Sequence, residues 1–128
     1  MVGIKAYGGY VPKRRLPRSV IVEANGWFNS ALKGYSKGER SMCNWDEDAL
    51  TMAVGASRDC LDKTRPDDIK AIYLASTTLP FTDRQNSGIL GTALNLGQNM
   101  MTMDITSSQR AATSGLVNAL NVAKGTGG

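Results

Sequence analysis

The chain has 128 residues, 41% of them apolar and 20% charged, with a formal net charge of +4. These are globular values on the scale of one domain or part of one, and the charge is too small and too scattered for a nucleic-acid stripe. The densest basic cluster, Lys13, Arg14, Arg15 and Arg18, sits beside Pro12 and Pro17 with only Tyr10 near it, without the interleaved aromatics that single strands stack on. A solvated loop, or an anion contact such as a nucleotide phosphate, is the better reading, with Arg15 as its candidate. There is no histidine, and Cys43 and Cys60 stand 17 residues apart without a CxxC, so neither a zinc site nor a Cys–His pair can be assembled from this chain. Without a signal-like start or an apolar run of spanning length, a soluble, reducing, cytoplasmic setting is expected, with no membrane partner.

In chain order, Val2–Tyr7 alternates and ends in Gly8-Gly9, which predicts a strand closed by a turn. Residues 10–17 carry two prolines and read as loop or short edge strand. Val20, Ile21, Ala24, Trp27 and Phe28 recur at helical spacing over about Ser19–Leu32, although Gly26 weakens that helix. Residues 33–43 are polar and read as a connection. Asn44 then caps the clearest helix: Asp46, Glu47 and Asp48 load its first turn, Leu50, Ala53, Val54, Ser57 and Leu61 form the inner face, and Glu47, Thr51, Gly55, Arg58 and Asp62 the wet one. The helix dipole accounts for those acids better than a catalytic acid–base pair does. Cys60 lies on an apolar face and reads as core.

After a turn at Arg65–Asp68, Ile69–Ser76 has the length and composition of a strand. Its carboxyl end opens into the hydroxyl-rich loop Thr77-Thr78-Leu79-Pro80-Phe81-Thr82-Asp83. In open α/β sheets that edge is where ligands bind, so this loop is a candidate site wall. A helix over about Arg84–Leu94 turns Ile89, Leu90, Ala93 and Leu94 inward.

The stretch that organises the chain comes last. Met101–Ile105 reads as a buried strand that turns through Thr106, Ser107 and Ser108 into a helix from about Gln109 to Lys124. Ala112, Leu116, Ala119, Leu120 and Ala123 share one face of that helix, and its small residues predict burial between layers. Arg110, Thr113, Val117, Asn121 and Lys124 form the polar stripe. The whole is an α/β chain with a β-α-β-α-β-α alternation, which predicts a parallel sheet covered by helices. A helix N-terminus reached through a tight turn suits an anion or a nucleophile. Gln109 is neither, and an amide there also fits a simple capping role; Ser107 and Ser108 read as turn and cap residues, since no base is present to activate a serine.

Four segments carry a family resemblance. The opening VGIKAYGGYVPKRRL, the segment KGYSKGERSMCNWDEDALTMAVGA and the strand-loop IKAIYLASTTLPF are similar to the N-terminal part of the thiolase-superfamily condensing enzymes, in the hydroxymethylglutaryl-CoA synthase and type III ketoacyl synthase group. The fourth, DITSSQRAATSGLVNAL, matches the pattern D-x-x-x-A-C-x-G-G-T-A-A-x-x-N-A without a gap, with Asp104, Thr113, Asn118 and Ala119 in register. The resemblance implies a thiolase-like fold in which residues 1–128 form an N-terminal half-domain, a fragment or a subunit, incomplete without further strands.

In that register Gln109 takes the place of the acyl-accepting cysteine, and Thr77 the place of the synthases' general-acid glutamate. An amide cannot form the thioester, and a hydroxyl cannot replace a carboxylate as a proton shuttle near neutral pH. The resemblance further implies an acyl-CoA or acyl-carrier thioester as substrate, no other cofactor, and contacts from Ser107, Ser108, Arg110, Thr78 and Arg15. It also implies a homo- or hetero-oligomer in which another chain supplies the rest of the fold. Three readings follow: part of a condensing or thiolytic acyltransferase, a non-catalytic holder of acyl-CoA or of a partner subunit, and a decarboxylase of malonyl-type thioesters in which glutamine mimics the acylated cysteine.

Overall fold

The computed structural model describes residues 2–62 and 66–125. They fall into two compact units, one of residues 11–47 and the other of the N-terminal residues to Tyr10 together with everything from Asp48 onward.

In the unit of residues 11–47, strand β1 (Arg14–Pro17) pairs antiparallel with β2 (Glu39–Met42), Leu16 standing opposite Arg40. The short edge strand allowed for in residues 10–17 thus forms, and it pairs with residues read as a connection. Between its strands lie helix α1 (Arg18–Asn25) and a 3-10 helix over Ser30–Tyr35. The single helix expected over Ser19–Leu32 is therefore broken. The α-helix ends at Asn25 with Gly26 as its C-cap, and Asn29 starts the second turn by accepting the Ala31 N–H at 3.0 Å. Trp27 and Phe28, read as part of the helical spacing, lie beyond α1 and stack edge to face at 5.9 Å on the surface, Trp27 being 86% exposed.

The larger unit is built on two parallel strands, β3 (Ala71–Ala75) and β4 (Met101–Ile105), in register from Ala71 opposite Met101 to Ala75 opposite Ile105. Helix α3 (Asn86–Ala93) is the crossover between them. Helices α2 (Ala49–Leu61) and α3 cover one side of the sheet, where Leu50, Leu74 and Leu90 form the core with Ala53, Val54, Ile72, Leu79, Ile89 and Leu94 packed around them. Here the strand and helix periodicities agree with the inner faces read from sequence except at Ala93, which is exposed at the end of α3. Cys60 is half-buried and Cys43 exposed.

Helix α2 begins later than Asn44. Asp48 is its cap: its carboxylate accepts the Thr51 N–H at 2.7 Å while the Thr51 hydroxyl accepts the Asp48 N–H at 2.7 Å, a reciprocal box. Asp46 and Glu47 belong to the preceding turn, both hydrogen-bonded to Asn44 at 2.7 Å.

The strand expected over Val2–Tyr7 does not form. A strand needs a ladder, and among the described residues β3 pairs with β4 alone. The segment instead runs onto α2, on the side read as wet. A Cβ on Gly8 would lie 2.4 Å from the Cys60 nitrogen and 2.5 Å from the Ala56 oxygen, so only glycine permits this approach. The Gly9 N–H donates to Asp59 at 2.9 Å and the Tyr10 ring covers Gly55. The turn read at Arg65–Asp68 is a 3-10 turn over Pro66–Asp68, with Arg65 outside the described residues.

Helix α4 (Ala111–Gly125) packs on the other side of the sheet through Ala111 and Gly115, the latter closing to 3.1 Å from Ile105 Cδ1 if given a Cβ. The face expected to be buried is rotated by one residue. Leu116 is 49% and Val117 53% exposed, so the helix is covered on one side and not sandwiched.

Candidate functional site

Because β3 and β4 are adjacent and parallel, the segments that follow them leave from the same edge of the sheet. The Ser76 N–H donates to the Ile105 carbonyl at 3.1 Å, extending the ladder by one bond, and beyond it the chains diverge into the loop Thr77–Gln85 and the turn Thr106–Arg110. The topology thus brings the Thr77 and Thr78 loop and the Gln109 turn to one strand edge, the place where parallel sheets bind ligands.

The turn is shaped by Ser107, whose φ of 67° lies in the left-handed region where non-glycine residues are uncommon. Ser108 completes it. Its hydroxyl accepts the Arg110 N–H at 3.1 Å and its carbonyl the Ala111 N–H at 3.0 Å. The first helical bond runs from the Ser114 N–H to the Arg110 carbonyl at 2.9 Å, so α4 starts two residues later than the pattern predicts. Gln109 lies in the turn itself. It is exposed, and its side chain makes no hydrogen bond among the described residues; the capping is done by Ser108. There is no acidic residue in the first turn of α4, so nothing from its own sequence offsets the positive end of the dipole. Arg110 borders a shallow groove of about 380 Å³ along α4 with Thr113, Ser114, Val117, Asn118 and Asn121.

In the facing loop Thr77 is exposed and unbonded, while the Thr78 N–H donates to Ser76 Oγ at 3.1 Å and the two hydroxyls share a bond of 3.2 Å. The far end of the loop is held by Asp104, seen in the sequence only as a position of the family pattern, and by Asn86, Ser87 and Gln85, to which the sequence pattern assigns no role. Asp104 on β4 accepts the Asn86 N–H at 2.7 Å, the Asn86 side-chain amide at 2.9 Å and the Ser87 N–H at 2.7 Å. Asn86, only 1% exposed, also holds Phe81, accepting its N–H at 3.1 Å and donating to its carbonyl at 2.9 Å. Gln85 exchanges two bonds of 2.7 Å with Thr102. Burial favours the neutral form of Asp104, but the hydrogen bonds from Ser87 and Asn86 outweigh it and hold the carboxyl below its ordinary value. A carboxylate in the otherwise apolar strand MTMDI was the signal, since such a charge needs partners.

Arg15 lies in the other unit. Its guanidinium donates to the Pro12 carbonyl and, at 3.0 Å, to the Arg14 carbonyl, which folds it back on its own loop. Among the described residues no three acidic, cysteine or histidine side chains gather as a metal site would need, and no helix is long and apolar enough to cross a membrane.

No family model matches the chain. In structure it superposes on MvaS in complex with 3-hydroxy-3-methylglutaryl coenzyme A, with a TM-score of 0.82 at 22% identity over 98% of this chain and 31% of that one. It superposes equally on a 3-oxoacyl-(acyl-carrier-protein) synthase III, with a TM-score of 0.83 at 16% identity over 98% of this chain and 39% of that one. The fold is therefore that of the thiolase-like condensing enzymes. In sequence the chain is 34% identical to the hydroxymethylglutaryl-CoA synthase of Archaeoglobus fulgidus over 121 residues, 91% of this chain and 35% of that protein. The synthase of Caldivirga maquilingensis is 31% identical over 128 residues, 96% of this chain and 36% of the relative. Within the thiolase-like class the chain is hydroxymethylglutaryl-CoA synthase-like, and it resembles the N-terminal part of those enzymes, spanning about a third of the length of the curated relatives it matches.

Proposed function

We propose that this chain is part of an acyltransferase of the condensing or thiolytic kind, acting on an acyl-CoA or acyl-carrier thioester, in which position 109 no longer accepts the acyl group. The observation that carries this reading is the coincidence of register and place. In the family pattern that the ungapped segment Asp104–Ala119 resembles, Gln109 takes the place of the cysteine, and that residue stands at the strand edge, exposed, with no side-chain hydrogen bond among the described residues and at a helix start without acidic side chains in its first turn. The substrate class is supported by two structural neighbours, one holding 3-hydroxy-3-methylglutaryl coenzyme A and one a synthase in complex with an acetyl donor carrier protein.

In this reading Ser107, Ser108, Arg110 and Thr78 contact the thioester end, and Thr77 marks the lost general acid. Ser108 Oγ already accepts from Arg110, so its own O–H remains a donor for a thioester oxygen. The rest of the active site, and the partner surfaces of a homo- or hetero-oligomer, come from outside these residues, and the setting is cytoplasmic. A second reading is favoured by the free amide of Gln109: the chain holds its thioester without turnover, or supports loss of carbon dioxide from a malonyl-type thioester.

Intact mass after incubation with acetyl-CoA tests the register. The wild-type chain should carry no acyl adduct, whereas Gln109→Cys should gain one acetyl group, its thiolate attacking the thioester carbonyl as the bond to the CoA sulfur breaks and CoA leaves as the thiol. An adduct on Cys43 or Cys60 of the wild type sinks the register. Carbon dioxide released from malonyl-CoA by the wild type selects the decarboxylase.

A further inference from the structure

We infer that Asp104 is a positioning residue that holds the Thr77–Pro80 span in place from the neighbouring strand, through Asn86. The span has two anchors and both lead to β4. At its start Ser76 is bonded to the Ile105 carbonyl, and at its end Phe81 exchanges two hydrogen bonds with the Asn86 side chain, which is itself bonded to Asp104. Between the anchors lie four residues, of which Thr77, Thr78 and Pro80 are exposed. So short a span tied at both ends has few conformations left, and the hydroxyls of Thr77 and Thr78 stay at the strand edge beside the Gln109 turn.

The link is serial. Asp104 orients Asn86 by accepting from both its main-chain and side-chain N–H groups, and Asn86 then presents one acceptor and one donor to the Phe81 peptide. Nothing else among the described residues bonds the Phe81 N–H. The carboxylate suits this task because it accepts three N–H groups at once, whereas an asparagine amide at position 104 would turn a donor toward donors. That the span walls an acyl site rests on the proposed function; that Asp104 fixes it rests on the hydrogen bonds alone.

Residue-resolved hydrogen exchange on the full chain tests the second point without any substrate. In Asn86→Ala, which keeps the main-chain bonds to Asp104, the Phe81 and Thr78 amides should exchange about tenfold faster while Ser87 and the α2 amides keep their protection. In Asp104→Asn the Asn86 and Ser87 amides should join them, rising beyond the common increase that the lost overall stability gives α2. Unchanged exchange at Phe81 in Asn86→Ala overturns the proposal, and so does a rise at Phe81 and Ser87 in Asp104→Asn no greater than that across α2, which would make the pair general stability residues. If Gln109→Cys accepts acetyl groups, adding Asn86→Ala should slow that acylation without changing alkylation by iodoacetamide. Equal slowing of both overturns the positioning role, and failure of Gln109→Cys to acylate counts against the proposed function while the exchange result still decides the role of Asp104.

Discussion

Helices α3 and α4 both start beyond a strand of the same two-stranded sheet, yet their N-termini are finished in opposite ways. The start of α3 is filled by the chain itself: Asp104, brought from β4, accepts the N–H groups of Asn86 and Ser87, and those are the most deeply buried polar side chains described. Among the described residues the start of α4 is capped by the Ser108 hydroxyl and carbonyl, has no acidic residue in its first turn and leaves Gln109 exposed. A helix end neutralised from within has no capacity left for a ligand's negative charge, whereas an open one keeps it. The difference separates the helix that builds the wall from the one whose end faces outward.

The two helices are also held differently, and the largest expected effect tests that. Helix α4 is seated through Gly115, so Gly115→Leu forces a side chain into Ile105 Cδ1, which a Cβ alone already approaches to 3.1 Å. A loss of about 3 kcal/mol in urea unfolding is expected, at the upper end for overpacking. A loss under about 1 kcal/mol would mean that α4 is not seated on β4 at this point. Next comes Asp104→Asn, expected to cost about 2 kcal/mol because it leaves N–H groups at the start of α3 without their acceptor. If the cost is no greater than for Gln109→Ala, the two helix starts are alike and the comparison fails.

The sequence made these features legible to unequal degrees. Strand β4 has the bounds read from its pattern, and the inner faces of α2 and α3 follow from helical spacing, because those residues are decided by a local apolar period. The cap of α2 was in the sequence as Asp48-x-x-Thr51, but Asn44, Asp46 and Glu47 just before it offered competing caps, and only the folded turn assigns them to each other. The opening strand was misread because alternation specifies a strand's faces and not its partner. At the site, the Gln109 turn was visible through its register, while the Asp104–Asn86 bond joins residues 18 apart and could be inferred only as an unmet need of the carboxylate.

Acid separates local from distant capping on a smaller scale. The Thr51 N–H, against some opposing burial, holds the Asp48 carboxyl below its ordinary value of 3.8, and hydrogen bonds from Ser87 and Asn86 do the same for Asp104 despite burial. Since both native values are lowered, each carboxylate's contribution is complete above 3.8 and is lost as pH falls through the lowered native value, the unfolded chain binding more protons between the two. Hydrogen exchange measured down that range should show α2 and α3 opening at their N-terminal turns while the start of α4 stays unchanged. Asp48→Ala, costing about 1 kcal/mol, should abolish the response in α2 and leave it in α3.

The smallest effect bears most directly on the open end. The Gln109 side chain makes no hydrogen bond among the described residues and is exposed, so Gln109→Ala should change stability by no more than about 0.5 kcal/mol. Gln109→Glu places a charge beside the uncompensated start of α4 and should stabilise by about 0.5 kcal/mol, a gain that high salt removes because the site is exposed. The same charge would supply at α4 part of what Asp104 supplies at α3, and it should weaken binding of any anionic thioester at the turn. Urea midpoints at low and high salt give the first quantity, and acetyl-CoA titration the second. A destabilisation above about 1 kcal/mol in either variant would show that residue 109 is packed in solution, and a salt-independent gain in Gln109→Glu would show that the N-terminus of α4 is not the field it responds to.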